Sequence, residues 1–233
     1  MSINYGNSVA GLRSERTYSP RPVLYTTQGA VYLPEGKTIA GASSRDPGNT
    51  GDIVTLRPGE LLGKITSSGK YAPAVLGALT VAYTASATVM TVSAAVATEI
   101  ARRVGSTGTL IMTGPPTAAG TIATTAVTYS AVNTSSGVLT VTAITAANYI
   151  LGSLIRPNDG SQTILGILDE YVRVTDVDGN NLDVQGSKIL TGGFVDAEQI
   201  IDYPSNAVIQ AWLKGQLNSP ATGPGPFSFD DNF

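Results

Sequence analysis

The sequence predicts a mainly β protein assembled from several pieces, and three observations carry that expectation. Short runs alternate apolar residues with Thr at a period near two, as in Thr88-Val89-Met90-Thr91-Val92 and Val138-Leu139-Thr140-Val141-Thr142. Successive side chains of a strand point to opposite faces, so this is the pattern of half-buried strands. Turn formers punctuate the chain, with 26 Gly and 13 Pro in 233 residues, and only two short stretches have helical spacing.

Taken in order, residues 1–50 read as an extended N-terminal arm. They mix Gly, Ser, Pro and Arg (Arg13, Arg16, Arg21) with isolated apolar positions. Val23–Tyr25 and Ala30–Leu33 are expected as short extended segments with Gln28-Gly29 turning between them, and Gly41–Asn49 as loop. A segment this polar buries little by itself and is expected to order on a partner. Residues 51–75 form a compact meander: Asp52–Leu56, Leu61–Thr66 and Tyr71–Pro73, separated by Pro58-Gly59 and Ser68-Gly69 turns.

Residues 76–157 shift to Thr, Ala, Val and Ser with only four charges. Val81–Thr84, Met90–Ser93 and Val104–Ser106 are followed in the same order by Val127–Ser130, Leu139–Thr142 and Leu151–Ser153. This internal similarity predicts two related β units packed face to face, an inserted sandwich of the Ig-like kind, with Ala94–Arg103 as its one helix. Residues 158–217 return to short apolar runs set between polar turns, like those of 51–75. Strands are expected at Ile164–Leu168, Tyr171–Thr175, Leu182–Val184 and Lys188–Leu190, with a hairpin turn at Asp178–Asn181. A short C-terminal helix over Asn206–Lys214 follows, capped by Ser205, with Val208, Ile209, Trp212 and Leu213 as its apolar stripe. Residues 218–233, rich in Pro and Gly, are expected to be an extended, flexible tail.

Composition narrows the chemistry. The chain has no Cys and no His, which excludes a Ser-His-Asp triad, a thiolate nucleophile, a disulfide framework and zinc sites of the usual N/S kind. Charged residues make up 13%, against about 25% in ordinary domains, so the surface is built from Thr, Ser, Asn, Ala and Gly and suits partial coverage by neighbours. By region, 1–80 hold 8 basic and 5 acidic residues, 81–157 hold 3 and 1, and 158–233 hold 3 and 11. The balances +3, +2 and −8 sum to the net −3, and the split favours contact between copies or with a charged platform. A pI near 4.9 without a basic, aromatic-studded stripe disfavours nucleic acid. No apolar run is long enough for a membrane helix, and the first residues lack the apolar stretch of a secretory signal.

Four motifs offer chemistry and each has a plainer reading. Ser67-Ser68-Gly69-Lys70 matches the S-x-x-K of serine acyl-transfer enzymes, but that chemistry needs a helix start, and here the tetrapeptide reads as a turn. Asp176–Asn180 with Asp183 resembles a fragment of a calcium loop, with Gly179 fourth instead of sixth and Ser187 where Glu belongs; a hairpin turn accounts for it. Asp169 and Glu170 are neighbours on a strand and point apart. Asn133-Thr134-Ser135 is a formal glycosylation sequon, which needs a secretory route. No catalytic constellation, cofactor or metal site is expected, and the chain is not read as an enzyme.

Two stretches resemble a known family. Leu56–Pro73, with PG-x-x-LGKIT-x-SGKY-x-P, and Asn158–Glu170, with DGS-x-x-x-x-GIL-x-E, are similar to consecutive stretches of the head-decoration (cement) proteins of tailed bacteriophages, the lambda-type group. In that family they lie a few residues apart; here about eighty residues intervene. The resemblance implies a small β-rich decoration core (51–75 plus 158–217). It also implies homotrimers at (quasi-)three-fold sites on the capsid exterior and the major capsid protein as partner, with no membrane or direct nucleic-acid contact. The virion protein would be made in the host cytoplasm. The arm would bind the capsid through Arg13, Arg16, Tyr18, Arg21, Val23, Tyr25, Val31 and Tyr32. Leu62, Ile65, Tyr71, Ile167, Leu168 and Trp212 would form the core or trimer interface. Excision of 76–157 is expected to leave decoration intact. The competing reading is a virion-surface adhesion or carbohydrate-binding module displayed on the insert.

Overall fold

The computed structural model describes residues 23–34, 37–144, 147–218 and 227–230. It is mainly β, as the sequence predicts. The chain begins with β1 (Leu24–Tyr32), β2 (Lys37–Ile39), β3 (Thr55–Leu56), β4 (Leu61–Lys64) and β5 (Tyr71–Pro73). The insert contributes β6 (Gly77–Ala78), β7 (Val89–Thr91), α1 (Ala94–Arg103), β8 (Gly108–Gly114), β9 (Ala123–Asn133), β10 (Val138–Val141) and β11 (Leu154–Arg156). There follow β12 (Ile164–Leu168), β13 (Val172–Arg173), β14 (Val184–Ser187), β15 (Ile189–Asp196), α2 (Ala207–Leu217) and β16 (Phe227–Asp230).

The core is one sheet in the order β1-β15-β12-β4-β5-β2-β14, with β16 added parallel to β15 and a separate β3–β13 pair. α2 lies over it and buries Ile209, Leu213 and Leu217 against Leu61, Ile164, Ile167, Leu190 and Val195. Burying each such side chain stabilises the fold by about 1.5–3 kcal/mol. The helix is capped by Asn206, whose side chain accepts from the N–H groups of Val208 and Ile209, not by Ser205. Asn and Ser cap about equally well; the helix begins one residue later than expected, at Ala207, and this puts Asn206 at the capping position.

The insert is one sheet, not two stacked ones. Its strands run β6-β11-β8-β9-β10-β7. An antiparallel bridge between Leu79 and Val92 and the bond from Thr80 N–H to the Thr91 carbonyl join the first edge to the last. The result is a barrel-like sheet whose two ends meet at this one bridge. The expected sandwich is therefore corrected, because α1 fills the volume a second sheet would take. Val96, Ala97 and Ile100 of α1 pack among Leu110, Met112, Tyr129, Leu139 and Tyr149. Ser93 caps α1 by accepting from Val96 N–H. Of the repeated segments, only Met90–Ser93 and Leu139–Thr142 correspond in space, as antiparallel neighbours with Met90 opposite Leu139.

Two further expectations change. From Val23 onward the arm belongs to the core: β1 pairs with β15, β2 with β5 and β14, and Val23 and Ile39 are fully buried. Expected as two segments, 24–32 is one irregular strand, broken in register around Gly29, whose φ is +78°. At the other end, residues 227–230 form β16 instead of loose tail, and the Asn218 side chain clamps the Phe227 backbone through both its N–H and its carbonyl.

Candidate functional site

The two family-like stretches, separated by about eighty residues in sequence, meet in the core. β4 pairs antiparallel with β12, placing Leu61 opposite Ile167 and Leu62 opposite Gly166. Gly63 packs so closely on the second stretch that a Cβ there would lie 1.8 Å from the Ser161 carbonyl oxygen. Thr66 N–H donates to the Asp159 carbonyl, and a Cβ at Gly160 (φ +102°) would meet Thr66 Oγ1 at 2.1 Å. The glycines of both motifs thus serve one close backbone approach.

The insert is fastened to this junction by α1 and β11. Arg103, its side chain 2% exposed, donates to the Pro73 carbonyl at 2.7 Å, Asp159 Oδ2 at 3.0 Å and Ser161 Oγ at 2.6 Å. Burial pulls its pKa down. Burial also acts to raise the Asp159 carboxyl, but the Arg103 charge and the Ser161 hydrogen bonds hold it below the usual range. Arg102 forks onto Glu99 and reaches the Ala42 carbonyl of the core. Arg156 donates to Thr113 Oγ1 and the Gln162 carbonyl and lies 4.9 Å from the Trp212 ring centre. Burial lowers its pKa to about 10.

A second polar cluster underlies the β3–β4 turn. Arg57 forks onto Asp46, which also accepts from the N–H groups of Gly48 and Asn49. Glu60 is buried beside it, with no hydrogen-bond partner for Oε2. Burial first, then the neighbouring Asp46 and Asp202, push its carboxyl well above the ordinary range. An open cleft of about 600 Å³ lies near the start of α2, lined by Glu198, Asp202, Tyr203, Ser205 and Gln210 among others.

The expected arm residues divide sharply. Arg13, Arg16, Tyr18 and Arg21 lie outside the described residues. Val23 is buried, its carbonyl accepting Asp196 N–H, so it is a core residue. Tyr25 lies in β1. Val31 is 52% exposed, and Tyr32, also exposed, donates its hydroxyl to Asp169 Oδ2 at 2.5 Å. Burial, then the bond to Asp169, raises the Tyr32 pKa. Among the described residues β1 pairs with β15 alone, so its outer edge, with Val31, Tyr32 and nearby Phe194, offers backbone groups and apolar surface. Leu62, Ile65, Tyr71, Ile167 and Leu168 are buried within the single chain. Trp212 is half-buried under Arg156.

The remaining motifs serve local structure. Ser68 Oγ accepts from Lys70 N–H, and Lys70 pairs with Asp183, so Ser67-Ser68-Gly69-Lys70 is a turn. The Asp176 carboxylate accepts from the N–H groups of Asp178 and Asn180 and from the Asn180 amide. Glu170 accepts from Lys188 N–H, away from Asp169. Sequence reasoning missed Arg103 and the Arg57–Asp46 fork; the signal available was the rarity of charge in the insert. Comparison of the chain with protein-family models, curated proteins and solved structures finds no match.

Proposed function

We propose that this protein is a virion component that binds the outer surface of a phage capsid and clamps adjacent major capsid protein subunits, stabilising the head against internal DNA pressure. One observation carries the reading: the two stretches that resemble decoration proteins, remote in sequence, pair as β4 and β12 and interlock through Gly63 and Ser161. The long insertion leaves that unit whole, because its incoming and outgoing strands β6 and β11 are themselves paired. The work needs area, not catalysis. A homotrimer would carry three arms that bind as one, so modest contacts sum to strong avidity. The outer edge of β1, unpaired among the described residues, would supply the backbone groups for strand addition by a coat segment, and Arg13, Arg16 and Arg21 would supply charge for an acidic coat surface. The sugar-binding alternative is weakened by the insert's own aromatic residues: Tyr83, Tyr129 and Tyr149 are buried, leaving no ring face among its described residues for a saccharide.

The test is co-sedimentation with expanded, undecorated heads, followed by particle reconstruction. Deleting 1–22 removes Arg13, Arg16, Tyr18 and Arg21 and keeps β1 and β2, which a cut at residue 50 would also remove. Saturable binding that weakens in the truncated chain is the expected result. Full-length chain that fails to bind heads refutes the reading, and unchanged binding after truncation refutes the role of the arm.

A further inference from the structure

The open cleft beside the start of α2 is acidic. Glu198, Asp202, Tyr203, Ser205 and Gln210 line it, with no basic residue among its described walls. Among the described residues neither Glu198 nor Asp202 forms an ion pair. Arg57, whose charge reaches Asp202, is already forked onto Asp46. Two more carboxylates lie at this end of the sheet: Asp196 accepts from Glu198 N–H, and Asp230 of β16 stands opposite Asp196. The chain leads its own basic residues to the same place. Leu24 stands opposite Val195, and Asp196 N–H donates to the Val23 carbonyl. In an antiparallel pair a step back along one strand is a step forward along the other, so the residues before Val23 lead toward the 3-10 turn Ala197–Gln199, which forms one wall of the cleft. Arg21 is two residues from Val23, within about 7 Å along an extended chain. Residues 1–22 carry Arg13, Arg16 and Arg21 against one acid, Glu15.

We propose that Arg21 of the same chain seats its guanidinium in this cleft, between Glu198 and Asp202. The chemistry of the lining selects the occupant. Two carboxylates repel an anion, and a polar wall loses its water to an apolar group without return. Among the described residues no group of three Asp, Glu, His or Cys side chains is placed to hold a metal ion. A guanidinium fits, because it is always charged and presents five donors in one plane, enough for both carboxylates and the Ser205 hydroxyl. Arg21 lies between Pro20 and Pro22, and a residue before proline is confined to extended conformations, so seating its side chain costs little backbone entropy. The tether to Val23 is the shortest of the three arginines, which gives Arg21 the highest effective concentration at the cleft and favours the same chain over a second copy. The contact belongs to the free protein. On a capsid, cleft and coat surface would compete for the same side chain, so the inference adds a parked state to the arm and does not rest on head binding.

The experiment is a double-mutant cycle on the full chain: wild type, Arg21→Gln, Glu198→Gln and the double variant, unfolded by urea at low salt and followed by the fluorescence of the single Trp, Trp212. Each single substitution is expected to lower the folding equilibrium constant about two- to fivefold, the size of a favourable partly exposed ion pair, and the double variant to lower it no further. In about 1 M salt the differences are expected to vanish. Asp178→Asn, in the exposed turn after β13, is expected to be additive with Arg21→Gln. Additive effects of Arg21→Gln and Glu198→Gln, coupling that survives high salt, or equal coupling to Asp178 would each overturn the proposal. Coupling that grows with protein concentration would place the arm of a second copy in the cleft and overturn the assignment to the same chain. Heads left bare by wild type would sink the capsid reading alone, and an additive cycle would sink this one alone.

Discussion

Arg103→Ala tests the joint between insert and core. The guanidinium is buried and donates to a carbonyl, a carboxylate and a hydroxyl of the core. Breaking a fully buried charge pair by removing one partner costs about 3–5 kcal/mol. Here the Asp159 side chain is 33% exposed and regains water, so the expected loss is smaller, about 2–3 kcal/mol. In a protein of this size that lowers Tm by about 4–12 °C. The single Trp, Trp212 on α2, reports core unfolding by fluorescence, while far-UV circular dichroism reports both parts. The pH dependence identifies the cause. Asp159 has a lowered carboxyl pKa when folded, so its stabilising share is present above the unfolded value of about 3.9 and is lost as pH falls through the folded value. The difference between wild type and variant should therefore narrow on acidification. A loss below about 0.5 kcal/mol, the range of ordinary surface substitutions, or a gap that is flat with pH, would refute the assignment.

Three other substitutions address separate features. Glu60 has a raised folded pKa, so wild-type stability is full below about pH 4.3 and falls as pH rises toward the folded value; Glu60→Gln should remove that decline, and denaturant midpoints that stay parallel across pH would contradict it. Gly63→Ala forces a Cβ to 1.8 Å from the Ser161 carbonyl and should cost about 3 kcal/mol or more, read as loss of soluble folded protein or of a cooperative melt. Asn206→Ala should cost about 1 kcal/mol while Ser205→Ala stays within about 0.5 kcal/mol, because the cap bonds come from Asn206; equal effects in thermal melts would contradict the assignment.

How far the sequence was legible depended on the range of the interactions. Local signals translated in part: the helix 94–103 and the β4–β5 hairpin with its Ser-Gly turn form as expected, but the first run of the expected 51–75 meander, β3, leaves its neighbours and pairs with β13. Pairing across long separations did not. Val23–Tyr25 reads as a short isolated segment and Ile39 as a lone apolar residue, yet β15, more than 150 residues away, gives β1 its partner, and β14 lies beside β2. The barrel read as a sandwich because period-two alternation states that one face is buried, not what buries it; α1 does so here. The acidic excess in 158–233 also has no single role. Asp159 binds Arg103, Asp169 Tyr32, Asp183 Lys70, and Asp196 caps a 3-10 turn. Side chains of that kind become partners only once the fold brings them together.

The boundary of the insert illustrates the same point and alters an expectation. β11 is a shared wall: Leu154 belongs to the core cluster, and Ile155, pointing the other way, to the barrel cluster, as alternation along a strand requires. On the incoming side Ala74 and Val75 face the core and Leu76 the barrel. Entropy sets no obstacle to so long an insertion, because the cost of closing a loop grows only as the logarithm of its length, and β6–β11 pairing already holds the ends together. Contacts do set one. Cutting out 76–157 removes Leu154, worth about 2–5 kcal/mol when truncated, together with Arg103 and Arg156. That total is comparable to the whole stability of a typical domain, about 5–15 kcal/mol. The excised chain should therefore fail to fold, and so fail to bind heads for a reason unrelated to the barrel's own role. Removing 80–151 and joining β6 to β11 by a short turn retains Leu154 and should preserve a cooperative core melt reported by Trp212. A stable core after the wider deletion would show the barrel to be a mere passenger, and the shared wall to carry none of the core's stability.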